Sequence, residues 1–239
     1  MLAERRYAIE RAVEETDLSL AMLRLFSIGA FAPEKPSLIV ALGREGAERE
    51  MTIVIEEGVD FTSEEGLVHA DALRPMILDH EFLRRTIIPA LTPWSALLLK
   101  DNKTEFENEV LKSALVYSRA TRSRNISEKL LHIFAASEAL LLRNESEPIS
   151  RAISERIAFI AGKNTDERIA IARNVLAVYG MRSRYVHHAL EIEPTTEELA
   201  ALELFLVSVS AFFNKVAIVA PEFATREMFI SSLERRKFE

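Results

Sequence analysis

The sequence has no cysteine, which excludes disulfides and thiolate metal sites. Glycine and proline are scarce, at seven and eight of 239 residues, and proline thins out after Pro93. That scarcity favours long helices in the C-terminal part. Neither G-x-x-x-x-G-K-S/T nor G-x-G-x-x-G occurs, so the common nucleotide-binding loops are absent. H-E-x-x-H is absent as well, and His69, His80 and His132 are scattered, so no metal and no cofactor is expected. Asp79-His80-Glu81 reads as surface, because adjacent helical residues point in different directions. The N-terminus begins Met-Leu-Ala-Glu-Arg-Arg without an apolar signal region, and no uncharged run is long enough to span a bilayer. The expectation is a cytoplasmic protein that does not engage a membrane.

What is present is apolar residue in quantity, 49% of the chain, enough for a sizeable core. Net charge is −7, from 30 basic and 37 acidic residues. That balance counts against a protein that coats nucleic acid nonspecifically, which needs many phosphate contacts. It leaves room for a local basic cleft, and arginines do cluster at Arg119, Arg122 and Arg124 and again at Arg182 and Arg184.

Hydrophobic periodicity divides the chain into residues 1–100 and 101–239. The first part reads as a helix over 3–28 ended by Gly29 and Pro33. A β-hairpin of 37–42 with 51–55 across the loop 43–50 follows, then a polar connection over 57–66 and a helix over 70–88. Pro89 and Pro93 punctuate a turn around Trp94, and 96–99 fits either a short strand or a buried helical turn. The second part reads as all helix. Thr104-Glu105-Phe106-Glu107 has the capping-box pattern ahead of a helix over 105–121. Residues 126–143 are apolar nearly all round and should form the central helix of a bundle. Helices over 148–161 (stopping at Gly162), 166–179 (broken or bent at Gly180), 195–220 and a charged tail helix from Arg226 complete it. The fold class expected is mainly α, a helical bundle with an N-terminal α + β-hairpin region.

One stretch concentrates chemistry. Residues 179–188, Tyr-Gly-Met-Arg-Ser-Arg-Tyr-Val-His-His, hold two arginines, two histidines, a serine and two tyrosines. Histidine exchanges protons near neutrality, with an unperturbed pKa of about 6.5. Arginine presents a planar, permanently charged fork that suits phosphate. On a helix Arg184 and His188 share a face, whereas Arg182 and His187, five apart, do not. Two geometries remain open. The helix ends at Gly180 and restarts near Ser183, placing Arg182 at an anion-binding N-terminus, or it continues and Arg182 swings back across the axis. By composition alone, a structural or solvated role ranks ahead of catalysis.

Arg182-Ser183-Arg184-Tyr185-Val186-His187 resembles the R-x4-6-H motif of HEPN domains, and residues 179–188 resemble the Y-x-x-R-S-x-x-V-H signature of the Apea-like HEPN family. Upstream, Ala136-Ser137-Glu138-Ala139-Leu140-Leu141 is similar to that family's L-E-A-L-L helix, and residues 154–160 to its E-R-x-A segment. The resemblance covers residues about 105 to 220. It implies a HEPN-type helical bundle, usually a homodimer, in which two such motifs meet in a cleft between subunits. It also implies metal-independent endoribonuclease activity in a toxin–antitoxin or phage-defence setting, with RNA as substrate and an antitoxin or sensor as a further partner. In that reading His187 is the general base or acid and Arg182 stabilises the phosphorane-like transition state. His187 is favoured over His188 by the motif. Ser183 orients a phosphate or caps a helix. Arg184 is a second phosphate contact or a surface ion pair, and Tyr179 belongs to the signature. Glu138 and Arg156 either support the motif or pair with one another between helices, since a buried charge needs a partner. The alternative is a noncatalytic HEPN module that binds nucleotide or RNA or holds a partner protein, and a third reading is a plain dimerisation scaffold.

Overall fold

Long helices with strong caps account for most of what the chain builds. The computed structural model describes residues 5–37, 39, 49–54, 62–67, 81, 83–143, 147–188 and 193–236. The helices are α1 (Arg5–Arg24), α2 (Ile88–Leu99), α3 (Glu105–Ala120), α4 (Ile126–Leu141), α5 (Ile149–Ala161), α6 (Thr165–His188), α7 (Thr196–Val219) and α8 (Arg226–Arg236). Two start with reciprocal caps. Glu107 N donates to Thr104 Oγ1 at 3.2 Å and Thr104 N donates to Glu107 Oε2 at 2.7 Å. Thr195 and Glu198 repeat the arrangement at 3.2 and 3.0 Å. Each box satisfies amides that a helix start leaves unpaired, and replacing such a cap by Ala typically costs about 1 kcal/mol.

The expected N-terminal α + β-hairpin region is corrected: the fold is mainly α, and among the described residues no β-layer takes part in the core. Of the expected first strand over 37–42, only Ser37 and Ile39 are among the described residues, and neither is in a strand. Ser37 is buried, and its amide donates to Thr121 O at the end of α3, at 2.6 Å, instead of to a sheet. Leu38 and residues 40–42 lie outside the described residues. Among the described residues the strand pairing is a two-stranded ribbon of Arg49–Val54 with Thr62–Leu67, which runs through the expected polar connection. Helix α1 also ends earlier than expected, at Arg24, and a 3-10 turn at Ile28–Ala30 follows. Gly29 is needed in that turn because a Cβ there would lie 2.1 Å from Thr121 O. Most of the expected helix over 70–88 lies outside the described residues; from Leu83 a π-turn leads into α2.

Pro89 and Pro93 do not make a turn but lie within α2. Pro89 falls in the first turn, where its missing N–H costs little. Pro93 is tolerated where Trp94 is buried and its indole Nε1 donates to Asn214 Oδ1 on α7 at 2.9 Å. Residues 96–99 take the helical alternative, with Leu97 buried and Leu99 exposed.

Two helices share the centre. Helix α4, expected there, packs on α3, α5, α6 and α8, while α7 packs on α2, α3, α5 and α6. Aromatic contacts mark the joints: Tyr117 stacks on Phe213 at 4.6 Å, Phe134 on Phe205 at 5.2 Å, and Phe106 on Phe229 at 4.6 Å. Helix α7 with its following turn is long and apolar enough to cross a membrane by length and composition, but 56% of its most apolar window is buried in the bundle, as a core helix requires. Part of the N-terminal half joins the same core, through Met22 of α1, Leu25 just after it, and Trp94 and Leu97 of α2.

Buried charges tie the periphery down. Lys129 on α4 is buried, and its Nζ donates to the carbonyls of Gly29, Ala32 and Lys35 at 3.2, 2.8 and 3.0 Å. Burial lowers its pKa to about 8. Arg156 on α5 is buried too. It donates to Leu141 O, grips Glu147 through both oxygens at 2.9 Å, and reaches Glu234 on α8 at 3.1 Å. The Arg156 hydrogen bonds are the main reason the Glu147 carboxyl is held down to about 2.

Two outcomes follow for stability. Lys129→Met strands three carbonyls and should destabilise the fold by about 2 kcal/mol or more in urea titration; an unchanged midpoint would contradict the clamp. For Glu147, whose pKa lies below its unfolded value of about 4.3, the pair's contribution is full above that value and is lost as pH falls through about 2. Glu147→Gln should therefore be less stable than the parent at pH 7, and the difference should shrink as pH is lowered towards 2.

Candidate functional site

Helix α6 runs unbroken from Thr165 to His188, through Gly180. Of the two geometries left open by the sequence, the continuous helix is the one formed, and Arg182 does not sit at a helix N-terminus. Gly180 is exposed, and a Cβ there would meet nothing within 4 Å. A lone glycine lowers helix stability without breaking it when packing on both sides is strong. Here Val175, Val178 and Met181 are buried around it.

Helical phase decides what the stretch presents. Arg182 lies on the inward side with Val175 and Val178, and its side chain is only 17% exposed. Position 187 falls about 140° away at 100° per residue. It continues the outward stripe of Ile169, Leu176 and Gly180, which are all exposed. The backbone of His187 and His188 is helical, whereas their side chains lie outside the described residues. One subunit therefore does not place these two positions on one face.

Around Arg182 the bundle builds a small polar cluster in an apolar wall. Phe134 and Glu138, four apart on α4, face Tyr179 and Arg182, three apart on α6. The Tyr179 ring meets the Phe134 edge at 5.0 Å, and the Arg182 guanidinium lies over Tyr179 at 5.5 Å. Arg182 Nη2 stands 3.9 Å from Glu138 Oε1, within ion-pair range but too long for a hydrogen bond. Glu138 Oε1 and Arg182 Nε are both buried with no hydrogen-bond partner. Burial raises the Glu138 carboxyl above its ordinary range, and the Arg182 charge counteracts part of that rise. Burial likewise raises the Tyr179 phenol. The cluster thus holds one guanidinium and one carboxylate that attract each other without saturating their bonding capacity.

One further expectation is corrected. Glu138 and Arg156 are not a pair: Glu138 faces Arg182, while Arg156 is committed to Glu147 and Glu234. Of the two roles open for Arg184, the structure displays the ion pair, to Glu198 at the start of α7 at 3.3 Å. Ser183 is half-buried inside α6 and caps no helix. Sequence reading missed Phe134 as the wall behind Tyr179. The signal was the i, i+4 spacing of Phe134 and Glu138 on one helix. His132 is half-buried on α4, and His69 and His80 lie outside the described residues. Among the described residues no group of three or more His, Asp or Glu is placed to hold a metal.

Because α6 is continuous and open at residue 180, Gly180→Ala should raise stability by about 0.5–1 kcal/mol, read as an increase in denaturation midpoint. A hinge or strained turn at this position would instead make the variant less stable. Neither the family models nor the curated proteins nor the solved structures compared with this chain give a match.

Proposed function

We propose that the chain is a HEPN-type, metal-independent endoribonuclease acting as a homodimer, in a toxin or phage-defence setting. The observation that carries the reading is the Arg182 guanidinium, held between Tyr179 and Glu138 with its Nε unbonded, one and a half turns before His187 on the same helix. A phosphate oxygen is the kind of acceptor that such a donor lacks. The motif order across α4, α5 and α6 supports the same reading.

In this mechanism His187 takes the proton from a ribose 2′-OH, which attacks the adjacent phosphorus. A second histidine, from the other subunit, protonates the leaving 5′-oxygen. Arg182 stabilises the charge on the phosphorane-like transition state. The products are a 2′,3′-cyclic phosphate and a free 5′-hydroxyl. Because positions 182 and 187 diverge on one helix, the proposal needs the second subunit to complete each site. Exposed Ile169 and Leu176 on α6, and Leu204 and Val207 on α7, offer apolar surface for that partner.

The second reading, a noncatalytic module binding RNA or nucleotide or holding a partner protein, is favoured by a specific observation. Arg182 is already charge-paired internally by Glu138 and is mostly buried. Incubation with RNA in EDTA separates the two. The nuclease reading expects cyclic-phosphate ends, a fall of about 100-fold or more in rate for His187→Ala, and a comparable loss for Arg182→Gln. RNA retention without any cleavage product would establish the second reading in its place.

A further inference from the structure

At the opposite end of α6 the bundle forms a half-open cavity of about 430 Å³. That size falls within the range of small-molecule sites. It lies where the α5–α6 corner meets the C-terminal half of α7, the turn after it, and α8. Arg168 and Arg182 are fourteen residues apart on α6, about 21 Å at 1.5 Å per residue, so this cavity is separate from the cluster above.

Its lining has two characters. Phe159, Phe223, Phe229 and Leu233 give it an apolar interior. Lys163, Arg168 and Lys215 supply three cations against the single carboxylate of Glu222. Arg168 is the telling group. Its guanidinium carbon lies over the Phe159 ring, 4.3 Å from the centroid. Its Nε is buried and has no acceptor. Gly162 makes room for this pose, since a Cβ there would come 2.8 Å from Arg168 Cγ. Lys215 is steered to the same corner by its bond to Ala161 O at 2.9 Å.

The backbone at the start of α6 is not the anion receptor. Glu167 N already donates to Asn164 Oδ1, and Lys163 N to Glu167 Oε2, both at 2.9 Å. The side chains carry the selectivity. An excess of cations disfavours an amine. The aromatic interior would be idle with a small inorganic anion. A planar carboxylate matches the edge of a guanidinium, and a hydrocarbon chain matches the phenylalanines. We propose that this cavity binds an amphipathic carboxylate of the medium-chain fatty acid class, with its head on Arg168 and Lys215 and its tail against Phe159, Phe223 and Phe229.

Titration calorimetry and thermal shift with octanoate test this on the full chain. Octanoate should bind at one molecule per chain and raise the melting temperature. Octylamine, octan-1-ol and acetate at equal concentration should bind far more weakly. Arg168→Gln should weaken octanoate about tenfold or more, which is the loss of a charge-assisted bond of about 1.4 kcal/mol. Lys215→Gln should weaken it independently, and Arg184→Gln, at the far end of α6, should leave it unchanged. Circular dichroism confirms that each variant is folded. The proposal is overturned if octanoate does not bind at millimolar concentration, if octan-1-ol or octylamine binds as well, or if affinity survives both Arg168→Gln and Lys215→Gln.

Discussion

The helical phase of α6 is the constraint on which any function of the bundle depends. Twenty-four residues without a break fix the angular placement of every backbone position from Thr165 to His188. Val175, Val178 and Met181 set which side faces inward, because all three are buried against the bundle. Once that side is chosen, Arg182 must go in and position 187 must follow the outward stripe. Changing this would require breaking the hydrogen-bond ladder near residue 180 or rotating a helix whose apolar side chains each contribute about 1.5–3 kcal/mol by burial. A chemistry that uses both positions therefore needs groups brought in from outside the subunit.

How much of this could be read from sequence depended on the range of the interaction. The caps at Thr104 and Thr195 and the stop at Gly162 are local, and each is where the residue types place it. The prolines of α2 misled because proline is costly only in a helix interior without compensation, and Trp94 anchors that helix to Asn214, 120 residues away. Ser37 misled for the opposite reason. It begins a β-branched run that suits a strand, but strand propensity depends on an available neighbour, and Ser37 finds the end of α3 instead. Gly180 looked like a break because the packing that spans it was invisible. The candidate site divides the same way. The spacing of Arg182 and His187 gave their divergence from helix arithmetic alone. That Glu138, not Arg156 or solvent, faces Arg182 is a tertiary fact with no local signature.

The buried charges sort into two kinds. Glu107, Lys129 and Arg156 are each wrapped by specific partners. Burial pushes the Glu107 carboxyl up, but bonds from Lys100 and Thr104 more than offset this and hold it below its ordinary value. Lys129 meets three carbonyls, and Arg156 meets two carboxylates and a carbonyl. Such groups are expensive to bury alone and inexpensive once every donor is used, so they act as fasteners between segments distant in sequence. They hold the 29–35 turn to α4, and α8 to α5.

Arg182 and Arg168 belong to the other kind. Both lie on α6, near its two ends; each rests on an aromatic ring of its own neighbourhood, and each keeps a buried Nε without an acceptor. Stability alone does not account for such groups, because leaving a buried donor unbonded costs about 1–3 kcal/mol. A bundle that saturates the buried guanidinium of Arg156 so thoroughly has the means to saturate these. These two incompletely bonded cations near the two ends of one helix are the groups on which the two proposals rest. Their surroundings differ in what each would admit: Glu138 beside Arg182 calls for a ligand able to compete with a resident carboxylate, whereas the cation excess around Arg168 suits a single negative charge carried on an apolar body.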